Sequence, residues 1–405
     1  MKISISKKLL PILFVILLFL KCFGFIALNI NALNYIFTVL LIFFIIKYKE
    51  PHWYRKTLLI YSFFIFCSCL YSFLYNKQSL FKTIFNSYNY LGLLFLFYIM
   101  NLKLNSFQLK KITLWLSLIF CTCYIFQWII YPITIFSGSL DEVNISDEVF
   151  RMRMPGSLCA YILFFYGLNY YIITKNKKNL LYAAFGFLPI LIMGFRSLIL
   201  CTILFALIMI PYVTRDLKKS FKWMLLGCIV AVITSQLPIV QSKIDEMVDR
   251  QERGDTFANK DYIRYLEYYY FSDYIFTKEY EHMFGGGVPV FDGKSTYAKN
   301  IQDATDTYSY YWNDLGLLGL SFIIGIPAVI LFIIIILKSI SSCKDRDLQF
   351  IRFSMLTVLC ASLVTSMEIY RTGNFIIIAL LLSIECTKKN EICYEKNIGN
   401  KTIHV

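Results

Sequence analysis

The sequence predicts an all-α, polytopic integral membrane protein. Residues 1–405 read as a single membrane domain of about twelve transmembrane helices, with one large extracytoplasmic loop before the last three spans. Three observations lead there. The chain is 58% hydrophobic and 18% aromatic with only 16% charged residues, and its mean hydropathy is +0.60; soluble domains carry about a quarter charged residues. The apolar residues fall in blocks long enough to cross a hydrocarbon core, which takes roughly 20 residues per helix. The basic residues, finally, alternate from one connecting segment to the next.

The first block, 9–28, follows Lys2, Lys7 and Lys8. No small-residue cleavage site follows it and a second block begins almost at once, so it reads as a span and not as a removed leader. The remaining blocks are 31–47, 57–76, 83–101, 112–132, 155–174, 180–195, 197–213, 223–240, 315–337, 353–369 and 374–386, the last of them short. With both termini cytoplasmic, the inner segments hold 25 of the 40 lysines and arginines. The short outer loops hold six: Lys77, Lys82, Arg151, Arg153, Arg196 and Arg371. Short loops set orientation, so the net charge of +14 is mostly topology. A nucleic-acid surface needs its basic residues on one folded face, and these are scattered; no nucleic acid is expected.

Most cysteines lie inside the blocks as small apolar fillers. The long outer loop has none, and His52, His282 and His404 lie far apart, so neither a disulfide scaffold nor a metal site is expected. No phosphate-binding glycine loop with a lysine, no nucleophile elbow and no histidine pair at helical spacing appears. No cofactor is implied.

Two outer loops stand out. The first, 133–154, reads "ITIFSGSLDEVNISDEVFRMRM", with four carboxylates and then Arg151 and Arg153. The second, 241–314, contains an amphipathic helix on which Ile263, Leu266, Tyr270, Tyr274 and Ile275 or Phe276 recur at spacings of three and four. Such a helix lies at the lipid interface or on the bundle top. The stretch "GGGVPVFDGK" then breaks it.

Arg196 sits in "IMGFRSLIL", between two apolar blocks with almost no loop around it. A cation at that depth must snorkel to headgroups, pair, or face a polar cavity, and is a functional hypothesis by default. Arg151 and Arg153 share a side only if the chain before Pro155 is extended; the alternative is pairing with Asp147 or Glu148. Arg264 belongs to the amphipathic helix and faces either solvent or a ligand. Arginine stays charged and grips phosphate oxygens bidentately. Several arginines at the outer end of a bundle suit a diphosphate whose lipid tail stays in the bilayer, and can stabilise it as a leaving group. In "TDTYSYYWNDLGLLG", Tyr308 and Trp312 are candidates for stacking on sugars, or part of an interfacial aromatic belt. Asp314 immediately precedes an apolar run and reads as a helix start, which leaves Asp306 as the acidic candidate for chemistry.

At these residues the chain resembles the O-antigen polymerase and O-antigen ligase family of membrane glycosyltransferases. Four segments, in order, carry the resemblance: "RMRMPGSLCAYIL", "GFRSLIL", "DYIRYLEYYYFSDYIFTKEYEHMFGGG" and "TDTYSYYWNDLGLLG". It covers roughly residues 150–320 in motif detail and the rest by topology. It implies that Arg196 and Arg264 are catalytic and bind a lipid diphosphate. Thr305 and Asp306 stand where the ligase-type histidine would fall, which favours a polymerase. The implied substrate is an undecaprenyl-diphosphate-linked oligosaccharide, joined without a metal and with inversion on the outer face of a bacterial cytoplasmic (inner) membrane. Arg151, Arg153, Tyr308 and Trp312 would bind it. A flippase and a chain-length regulator would be the protein partners, and O-antigen, capsule or exopolysaccharide the product. A ligase passing finished glycan to an acceptor and a transporter without catalysis are the alternatives; a transporter should carry charge near the midplane.

Overall fold

A computed structural model describes residues 9–28, 30–49, 53–136, 154–215, 241, 262–363 and 368–402. Among them the only β feature is an isolated bridge between Phe25 and Phe136; everything else regular is helix. Fifteen helices matter here: α1 Leu10–Phe19, α2 Asn31–Lys47, α3 Arg55–Tyr75, α4 Leu80–Asn101, α5 Ser106–Ile130, α6 Leu158–Thr174, α7 Lys177–Met193, α8 Arg196–Thr214, α9 Ile263–Tyr270, α10 Glu279–Phe284, α11 Thr296–Tyr308, α12 Gly316–Ile324, α13 Ile326–Ser342, α14 Gln349–Ala361 and α15 Asn374–Thr402. Of these, α3, α4, α5 and α8 are long and apolar enough to cross a membrane. Large apolar side chains such as Phe63, Leu181 and Leu200 cover the outside of the bundle. An apolar exterior of that extent belongs against lipid and not water.

Local chemistry explains the ends. Helix α5 starts with a reciprocal cap, Gln108 N donating to Asn105 Oδ1 at 2.8 Å and Asn105 N to Gln108 Oε1 at 3.1 Å, which satisfies two of the donors a helix start leaves orphaned. Gly194 ends α7 in the left-handed conformation (φ +69°) that glycine adopts without strain. α6 and α7 form an antiparallel hairpin packed backbone to backbone: a Cβ on Gly167 would lie 2.3 Å from Ala183 N. Small residues permit that approach where no water drives the helices together. Helix α15 is the axis of the bundle, buried without interruption from Gly373 to Cys386 and touching α4 and α5.

Four apolar blocks differ from their sequence reading, among them 353–369, whose helix runs from Gln349 only to Ala361 before a separate 3-10 turn at Glu368–Tyr370. The block 9–28 is not one helix: α1 stops at Phe19, and Lys21, Cys22, Phe23 and Gly24 all take positive φ. Lys21 therefore lies in a buried turn, with its Nζ 5.3 Å from the Tyr88 ring centroid. The block 315–337 is broken at Gly325 into α12 and α13. The break is capped from outside, because Gly286 N and Gly287 N donate to Phe322 O (2.8 Å) and Ile323 O (3.0 Å). Those carbonyls end α12 and need donors. A Cβ on Gly285 would sit 2.4 Å from Ile323 O, so the glycine run is a helix cap. The short block 374–386 continues as helix to Thr402. The block 223–240 lies outside the described residues.

The two ends of the bundle differ. One holds Lys110 paired with Asp347, Tyr54 donating to Glu385 (2.6 Å), and Ser106 N donating to Glu391 (2.8 Å). The other gathers the starts of α6, α8 and α15 beneath the segment 262–316.

Candidate functional site

Helix α9 brings the first charges in. Its inward positions are Glu267 and Phe271, with Phe276 after a π turn, whereas Leu266 and Tyr274 are exposed. Of the expected apolar face, Phe276 is buried, Ile263, Tyr270 and Ile275 are half-buried, and only Leu266 and Tyr274 are exposed. A carboxylate takes the central buried position because partners meet it there. Arg264 Nη1 donates to both oxygens of Glu267, at 2.9 and 2.7 Å, and Tyr311 N to Oε1 at 3.2 Å. Phe276 stacks on Phe322 of α12 with centroids 4.7 Å apart and seats the turn.

The same Arg264 Nη1 lies 2.7 Å from Asp314 Oδ2. Two carboxylates thus share one guanidinium nitrogen. Burial pushes the Glu267 carboxyl up to about 7, with Arg264 pulling against it and Asp314 adding like charge. For Arg264, burial works against the charge, but Asp314 and Glu267 outweigh it and hold the guanidinium well above its ordinary value.

Asp314 lies on a 3-10 turn, Trp312–Leu315, that feeds α12. The turn is pinned from α12 and from the start of α15. A Cβ on Gly319 would fall 1.7 Å from Trp312 O, so only glycine allows the turn to fold back on the helix. Tyr370 Oη donates to Asn313 O (2.9 Å) and Gly316 O (2.8 Å), and its ring stacks on Trp312 at 6.3 Å and 13°.

Next to Tyr370, Arg371 is 3% exposed and Glu368 0%. Arg371 Nε and Nη2 donate to Glu368 Oε2 at 2.9 and 2.6 Å. Among the described residues Arg371 Nη1 finds no hydrogen-bond partner. The segment is knitted to its neighbours: Asn374 Oδ1 accepts Leu158 N (3.1 Å), Asn374 Nδ2 donates to Glu368 O (2.5 Å), and Gly156 N donates to Thr372 O (2.8 Å). The Arg371 guanidinium lies over the Phe195 ring at 5.7 Å, and Phe195 caps the helix that Arg196 begins.

Contacts and chain neighbours together link Arg264, Asp314, the Trp312–Tyr370 stack, Arg371 and Phe195, with Arg196 next to Phe195 in the chain. Asp306 is elsewhere, on the exposed face of α11. Tyr308 is also exposed and stacks on Tyr310 (5.5 Å, 22°) and against Tyr270 (5.5 Å). Arg151 and Arg153 lie outside the described residues, immediately before the buried Met154. Sequence reasoning passed over Glu267, Glu368 and Arg371, and took Asp314 as a helix start. Glu368 did leave a signal, as a carboxylate inside an apolar block. Glu267 left another, three residues after Arg264, a spacing at which side chains meet on a helix.

Among the described residues no three His, Cys, Asp or Glu side chains gather closely enough to hold a metal ion. Comparison of the chain with family models, curated proteins and solved structures finds no match.

Proposed function

We infer that the protein is a polysaccharide repeat-unit polymerase. It joins undecaprenyl-diphosphate-linked oligosaccharides on the outer face of a bacterial cytoplasmic membrane, which its chain crosses about twelve times with both termini inside. The observation that carries this reading is the path from Arg264 and Asp314 through Trp312 and Tyr370 to Arg371, Phe195 and Arg196. It sets cations, carboxylates and aromatic rings side by side at the end of an apolar bundle. A lipid diphosphate needs the cations, a sugar needs the rings and carboxylates, and a polyprenyl tail needs the apolar flank.

A hydroxyl of one repeat unit attacks the anomeric carbon of a chain carried on the lipid, and the lipid diphosphate leaves. One displacement inverts the anomeric centre. Arg196 carries the charge of the departing diphosphate, with Arg151 and Arg153 leading the headgroup in. The reaction draws its selectivity from positioning and from charge stabilisation in a dry site.

The test is purified protein in lipid nanodiscs, given a lipid extract from a strain deleted for this gene. A ladder of lengthened lipid-linked glycans supports polymerisation. Transfer of the glycan to a different acceptor favours a ligase, and movement across the bilayer without lengthening favours a transporter. Arg196→Lys keeps the charge and loses the planar fork. A drop of at least tenfold in ladder formation is expected, and full activity would remove the bidentate role.

A further inference from the structure

We propose that Asp314 is the general base of the transfer, with Glu267 and Arg264 holding it ready; this rests on the polymerase reading. The resemblance assigns Arg264 to the lipid diphosphate, but its surroundings do not suit an anion. One guanidinium nitrogen lies within 2.7 to 2.9 Å of three carboxylate oxygens. With all three groups ionised the cluster carries one net negative charge. A diphosphate placed there would face two carboxylates across a single cation. A hydroxyl about to lose its proton finds the opposite: an acceptor already oriented and partly desolvated.

The two carboxylates are not equivalent. Glu267 is fully enclosed and accepts Arg264 through both oxygens and Tyr311 N through one. Asp314 keeps 16% of its side chain exposed, so a sugar can reach Asp314 and not Glu267. Trp312, two residues earlier on the same turn, offers its ring beside that approach. The cationic end of the path, at Phe195 and Arg196, is left for the diphosphate. A single displacement requires the acceptor hydroxyl and the leaving group on opposite sides of the anomeric carbon, with Asp314 serving the first and Arg196 the second.

The step balances. The acceptor oxygen forms a bond to the anomeric carbon while the carbon–oxygen bond to the diphosphate breaks. The bonding pair leaves with the diphosphate, and the hydroxyl proton passes to the Asp314 carboxylate, which releases it to water. Arg264 faces both carboxylates, and Tyr262 acts in turn on Arg264. Burial raises Glu267 to about 7, so Glu267 takes up a proton near neutrality, which lowers the like charge beside Asp314.

The test uses the full chain in nanodiscs with the same deletion-strain extract, and undecaprenyl diphosphate alone as the binding probe. A wild-type protein that makes no ladder ends the polymerase reading itself. Where wild type does make the ladder, Asp314→Asn should slow its first step by on the order of 10²–10⁴-fold. Undecaprenyl diphosphate binding should stay within about twofold of wild type, whereas Arg196→Ala loses it. Asp314→Glu should recover part of the rate. An Asp314→Asn rate within about threefold of wild type, or loss of undecaprenyl diphosphate binding in that variant, would overturn the proposal.

Discussion

Replacing Arg371 by methionine tests how tightly the end of the bundle is held. The substitution conserves much of the side-chain volume and removes an ion-pair partner of Glu368, a carboxylate with no exposed surface. Two charge-assisted bonds, at 2.9 and 2.6 Å, disappear together. Breaking a buried pair from one side costs about 3–5 kcal/mol, because the desolvation of the remaining charge is no longer offset by that pair. Glu368→Gln should cost a similar amount, since it strands a guanidinium whose Nη1 already lacks a hydrogen bond. The double variant Glu368→Gln/Arg371→Met removes both charges and should recover most of that loss, as neutral replacements of buried pairs often do. Equilibrium unfolding in mixed detergent micelles, run as a double-mutant cycle, gives all three values. A coupling of at least about 2 kcal/mol is expected, within the range seen for groups in direct contact. Single variants that each cost less than about 1 kcal/mol, or a double variant equal to their sum, would refute the reasoning.

Three further expectations follow from single contacts. Glu267 has a folded pKa raised from 4.5 to about 7, so its contribution to stability is full below about 4.5 and lost as pH climbs through about 7. At about 1.4 kcal/mol per pH unit this amounts to at most about 3 kcal/mol. Wild-type protein should thus gain stability from pH 8 to pH 5 relative to Glu267→Gln, read as unfolding midpoints in detergent; parallel profiles would count against a buried carboxyl. Gly319→Ala must push Trp312 O away from a Cβ at 1.7 Å, and should lower stability by about 1–3 kcal/mol, as overpacking does. Ladder formation should fall with it through the displaced Asp314, and an active, stable alanine variant would contradict that turn geometry. Tyr370→Phe keeps the stack on Trp312 and strands the carbonyls of Asn313 and Gly316, a loss of about 1–3 kcal/mol. An unchanged unfolding midpoint would show that those carbonyls find other donors.

Much of the helical architecture is legible in the apolar pattern. The blocks at 31–47, 57–76, 155–174 and 197–213 fall within a few residues of α2, α3, α6 and α8, because a lipid-facing helix needs an unbroken run of side chains that tolerate hydrocarbon. The breaks are not legible. "LGLLGLSFIIGIPAVILF" is as apolar before Gly325 as after it, and its interruption depends on donors supplied by Gly286 and Gly287 from another segment. The left-handed turn at Lys21–Gly24 also arises from packing, with Phe23 set edge-on against Phe120 at 5.1 Å. In the site, Arg196 and Arg264 announce themselves as charges in costly surroundings. Their surroundings do not. Arg264 and Asp314 are 50 positions apart in the chain, and nothing in local spacing distinguishes Asp314 from a helix-start residue or Asp306 from a partner.

The glycine cap on α12 has a mechanical consequence. Segment 285–287 follows directly from the helices that carry Arg264, and it is hydrogen-bonded to the helix that Asp314 introduces. Anchored at both places, this roof cannot swing away as a flap without uncapping a helix. Under the proposed function, a glycan must reach Asp314 with this roof in place, and a substitution that loosens the cap should unsettle α12 and the roof together.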